Sequence, residues 1–111
     1  MAYDEKLAIN LRAILSAKQG IQEMKMFGGL CFLLKGHMLC GVEKERFMFR
    51  VGKEREAKAL KRPGASIMDF TGRRMGGLIW VDSKKCSKSA LKEWGALAIE
   101  FVGSLPPKKK Q

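Results

Sequence analysis

The spacing of apolar positions changes several times along the chain, and each change marks a different kind of element. Over residues 4–18, Leu7, Leu11, Ile14 and Leu15 recur at helical spacing, which predicts an amphipathic helix. Asp4 is placed to cap its free N–H groups, Glu5 suits the first turn, and Gly20 supplies the left-handed residue that often follows a helix. From residue 23 the apolar runs shorten to 23–27, 30–35, 38–43 and 46–51, separated by Gly28-Gly29, Gly36-His37 and Lys44-Glu45. Two-residue breaks of this kind join antiparallel strands. Gly28-Gly29 is open to a second reading, a glycine bulge inside one long strand, which leaves three strands here rather than four. The expected order takes the three. Phe47, Phe49 and Val51 alternate with Arg46, Met48 and Arg50, predicting one buried and one solvated face, with the phenylalanines turned toward the helices.

Residues 53–62 predict a short, highly charged helix that buries little beyond Ala57 and Leu60 and stops at Pro63-Gly64. Strands at 67–70 and 78–82 flank the loop Thr71-Gly72-Arg73-Arg74-Met75-Gly76-Gly77. A last helix starts near Ser87 or Ser89, carries the stripe Leu91, Trp94, Ala98, Phe101, Val102 and Leu105, and ends at Gly103 and Pro106-Pro107. Helix, three strands, helix, two strands and helix describe a two-layer α+β domain: an antiparallel sheet of about five strands with helices on one face. Residues 1–107 are expected to form this single domain, and 108–111 a basic disordered tail.

Composition narrows the choice of function. The 111 residues suffice for one modest core, and 46% hydrophobic with 30% charged residues excludes a disordered chain. A net charge of +11 favours acidic partners. There is no run of the roughly 20 apolar residues that a membrane span needs. The N-terminus has no secretory pattern, and three cysteines without one suggest free thiols in a reducing cytoplasm. The expected protein is soluble, cytoplasmic and not membrane-bound.

Several segments, taken in order, resemble the N-terminal domain of the TfoX/Sxy family of bacterial competence regulators. They are Tyr3-Asp4, Met26-Phe27-Gly28-Gly29, Arg50-Val51-Gly52, Pro63-Gly64-Ala65, Met68-Asp69-Phe70-Thr71-Gly72-Arg73, and the Trp94 helix ending in Leu105-Pro106-Pro107. The most specific are Met26, Phe27, Gly28 and Gly29, and Asp69, Phe70, Thr71 and Gly72, which are expected to be structural. The resemblance implies mostly fold, a secretion-chaperone-like α+β domain; the full-length regulators act in transcription of DNA-uptake genes. The full-length regulators carry a second, helical domain for which this chain has no room, so it is expected to resemble the single-domain branch.

Candidate chemistry is sparse. Cys31, His37 and Cys40 invite a zinc reading, but a hairpin turning at Gly36-His37 sets Cys31 against Val42 and Leu33 against Cys40, with roughly 20 Å of strand from Cys31 to His37. The same register leaves the two cysteines diagonal and roughly 7–8 Å apart, too far for an unstrained disulfide. Cys86 lies among Lys84, Lys85 and Lys88, which could lower its pKa, yet no base stands ready to orient it. Asp69 and Asp82 lack a paired acid. Arg73 and Arg74 on a glycine-rich loop could wrap an anion, although no helix follows as a phosphate loop requires. Arg46, Arg50, Lys53, Arg55, Lys58 and Arg62 form a basic surface on the strand over 46–51 and the short helix after it.

Neither a catalytic residue, a cofactor site nor a metal site is expected. The predicted function is a non-enzymatic regulatory or adaptor domain, monomeric or homodimeric, that binds a protein partner of acidic character through its own basic surface. The alternative is weak, sequence-tolerant nucleic-acid binding through the same charges.

Overall fold

A computed structural model describes residues 4–16, 18–26, 29–70 and 73–106, with the side chains of Met26, 68–70 and 73–76 left aside. Helix α1, Glu5–Leu15, starts where Asp4 accepts the Lys6 N–H at 2.8 Å, and it ends three residues earlier than expected. Four strands follow: β1 Ile21–Met26, β2 Gly29–Leu34, β3 His37–Glu43 and β4 Arg46–Arg50. After α2, Lys53–Ala59, come β5 Ala65–Phe70, β6 Arg73–Asp82, a turn of 3-10 helix at Ser83–Lys85 and α3, Lys88–Gly103. Ser87, rather than Ser89, caps α3 by accepting the Ala90 N–H at 3.1 Å.

The described strands form one antiparallel sheet of six in the order β1-β2-β3-β4-β6-β5, so the fold class stands and the expected count of five is corrected. Met26 faces Gly29, which makes β1 and β2 separate strands rather than one bulged strand. The next turn lies one residue earlier than the sequence suggested. Leu34 pairs with His37, and the two residues between them, Lys35 and Gly36, have φ of 55° and 84°. Two successive positive φ values make the turn that matches strand twist, and glycine takes the second without strain.

A larger correction concerns residues 73–77, read as loop. They belong to β6, with Phe70 opposite Arg73 and Asp69 opposite Arg74. Between Arg74 and Ile79 the register slips, because only Met68 separates Asp69 from Ile67 on the partner strand. Gly76-Gly77 therefore serves a bulge, which a sequence cannot distinguish from a hairpin turn.

α1 and α3 cover one face of the sheet. Ala8, Leu11 and Leu15 from α1 and Leu91, Trp94, Ala98 and Val102 from α3 share a buried cluster with Phe32, Phe47, Phe49 and Val81. Phe49 and Trp94 stack with ring centroids 5.5 Å apart, as their predicted orientation toward the helices requires. The other face is not simply solvated. Met48 is buried there with Cys31, Leu78 and Trp80, and among the described residues this cluster is built from strand side chains. Register explains it: Met24, Cys31, Gly41, Met48 and Trp80 face one another along a single cross-strand row.

Candidate functional site

The candidate surface centres on α2, an element too short to be stable alone. Gly52 precedes it at φ 87° and ψ 153°, a conformation that is essentially glycine's, and offers no side-chain cap. The Phe101 ring explains why nothing larger stands there: a Cβ at Gly52 would lie 2.5 Å from it. Two buried residues hold the helix down. Ala59 enters the main core, and Glu56, only 8% exposed, accepts the Gly77 N–H at 2.5 Å. The expected anchor Ala57 is instead exposed. The glycine bulge in β6 thus does for α2 what apolar area does for longer helices: it presents an unpaired backbone donor to a carboxylate.

The six basic residues separate into two regions. At one end of β4, Arg46 pairs with Glu43 at 2.7 Å and lies 3.6 Å over the Trp80 ring, beside Lys44, Asp82 and Lys84. At the other end, Arg50 sits 5.7 Å over Phe101 and joins the α2 side. There, Arg55 binds Glu100 at 2.6 Å, while Arg62, just past the helix, binds Glu93 at 3.2 Å and lies 5.6 Å over Trp94. Lys53 and Lys58 are exposed. The contact holds the Glu100 carboxyl below the ordinary carboxylate range, through its hydrogen bond to Arg55 and then the charge itself.

Two cavities flank Arg55. One, of about 580 Å³, is lined by Arg50, Val51, Gly52, Lys53, Glu54, Arg55, Glu100, Phe101 and Ser104. The other, of about 590 Å³, is lined by Arg55, Lys58, Ala59, Lys61, Arg62, Pro63 and Leu97.

The other candidates disperse. Arg73 and Arg74 lie in the β6 ladder, not on an anion-wrapping loop, and their side chains are outside those described. Met26, Asp69 and Phe70 are strand residues, Gly29 opens β2, and Phe27, Gly28, Thr71 and Gly72 lie outside the described residues. Cys40 faces the helices and Cys31 the opposite side, so they are not diagonal neighbours on one face. His37 starts β3 instead of the turn, and its Nε2 donates to the Pro106 carbonyl at 2.6 Å. Burial pushes the Cys86 thiol above its ordinary pKa, the opposite direction from the one that Lys84, Lys85 and Lys88 could give it.

Sequence reasoning missed Glu56, Glu93, Glu100 and Trp80. A signal for two of them was present: Arg55 and Arg62 are seven residues apart, as are Glu93 and Glu100, which suits two elements running in opposite directions. Compared with known proteins, the chain matches the family model for the TfoX N-terminal domain over residues 13–102. No curated protein and no solved structure matches it.

Proposed function

The chain belongs to the TfoX N-terminal domain family, and from that premise we propose that it is a non-enzymatic regulatory adaptor that docks an acidic protein partner. The family supports a competence-regulator-like domain. The observation carrying the partner reading is the surface of α2. Lys53 and Lys58 project there from a helix whose fastening depends on Glu56 and Ala59, so these two charges are free for recognition. Charges of this kind chiefly speed association and set specificity. Among the described residues no helix is long and apolar enough to cross a membrane, and the adaptor is proposed to act in the cytoplasm.

Affinity capture from the native cells with the wild-type chain and a Lys53→Glu/Lys58→Glu variant tests the reading. An acidic partner retained by the first and lost by the second is expected. Equal retention by both, or turnover of a metabolite by the purified chain, would sink it.

Nucleic-acid binding is the second reading, and the Arg46–Trp80 stack on the helix-free face favours it, with Lys44 and Lys84 nearby. Titration with DNA and RNA at several salt concentrations separates it from the first. An absence of binding even at low salt removes it.

A further inference from the structure

The cavity between the start of α2 and the end of α3 has the components of a small-molecule site. Its volume of about 580 Å³ lies within the range of ligand pockets. Arg50, Lys53 and Arg55 line it, against the carboxylates of Glu54 and Glu100. The Arg55 side chain is about two-fifths exposed; its Nη2 donates to Glu100 at 2.6 Å, and its Nη1 makes no hydrogen bond among the described residues. The fork geometry of arginine suits a carboxylate or phosphate acceptor. The remaining wall is apolar, built from Val51, the bare α-carbon of Gly52 and the Phe101 ring lying against it.

We propose that this cavity binds a small organic carboxylate with a flat apolar body, its carboxylate on Arg55 and Lys53 and its body against Phe101. Glu100 occupies one side of the Arg55 fork and competes with such a ligand. The site goes beyond the adaptor reading and does not depend on it: Lys53 belongs to both surfaces, whereas Lys58 belongs to the partner surface and does not line this cavity.

The test is an NMR titration of the full chain with benzoate, acetate and inorganic phosphate. Benzoate is expected to shift the amides of residues 50–55 and 100–104 and to bind about fivefold or more tighter than the other two, because only it uses the apolar wall. Arg55→Gln should weaken benzoate about tenfold. If that variant fails to fold, Lys53→Gln, at an exposed position, should still weaken it several-fold. Glu100→Gln should strengthen binding several-fold by releasing the fork. Glu93→Gln makes the same change in charge at the Arg62 pair, outside the cavity, and should leave affinity unaltered. The proposal is overturned if benzoate shifts nothing there, if phosphate or acetate binds as tightly, or if Glu93→Gln strengthens binding as much as Glu100→Gln.

Discussion

Glu56 is the residue on which the α2 surface turns, because a seven-residue helix with one alanine in the core has little else to hold it. Glu56→Ala leaves the Gly77 N–H without its acceptor and should cost about 1.5–3 kcal/mol in chemical denaturation, the usual range for a hydrogen bond to a charged group. Gly52→Ala should cost at least about 2 kcal/mol, since it forces a glycine-only conformation and drives a methyl group into Phe101. Burial is the main influence on each cysteine, with the Glu43 charge adding to it at Cys31. Burial raises all three thiols, Cys40 the most, so at neutral pH each holds less thiolate than a free cysteine. In the native protein, labelling should be slow and confined to half-buried Cys86, rising about tenfold per pH unit as its thiolate forms. Rapid native labelling of Cys31 or Cys40, read by mass spectrometry, would contradict this.

At the scale of elements, α2 and α3 are joined along their polar sides by Arg55–Glu100 and Arg62–Glu93, and along their apolar sides through the core. The basic residues are therefore not equivalent. Lys58→Glu should leave stability unchanged, whereas Arg62→Glu loses a carboxylate partner and its place over Trp94 and should cost about 0.5–1 kcal/mol, discounted for exposure. Trp94→Ala empties the position that stacks on Phe49 and should cost about 3–5 kcal/mol. The Glu100 pairing carries a pH signature. Its carboxyl is held low in the folded state, so the contribution is complete above the ordinary carboxylate range and disappears as pH falls through the lowered value. The stability difference between wild type and Glu100→Gln should accordingly be flat at neutral pH and shrink in acid, as denaturation at a series of pH values would show.

For the whole molecule, the relevant quantities are a net charge of +11 and a sheet that, among the described residues, helices cover on one face. The charge is not one patch, because Arg46 and Arg50 project from opposite ends of β4 and four of the six candidate arginines and lysines already meet a carboxylate or a ring. Association with any polyanion should therefore be mainly electrostatic and salt-sensitive. For roughly four phosphate contacts, affinity should fall about a hundredfold between 50 and 200 mM salt. Binding measured across that range that stayed constant would point to contacts of another kind.

The pattern of residues by itself determined the three helices, the antiparallel sheet and which phenylalanines meet the helices, because these follow from periodicities of 3.6 and 2 that any local window contains. The motif residues likewise pointed to the family that the chain belongs to. Tertiary structure alone decided three things. It made Gly76-Gly77 a bulge within β6 rather than a turn, since a glycine permits both and only the partner strand selects. It buried Glu56, a charged residue in a charged helix, because the acceptor it supplies is needed by a backbone donor 21 residues away. It also divided the basic residues into those that meet a carboxylate and those that do not, since Glu93 and Glu100 come from an element more than 30 residues away in the chain.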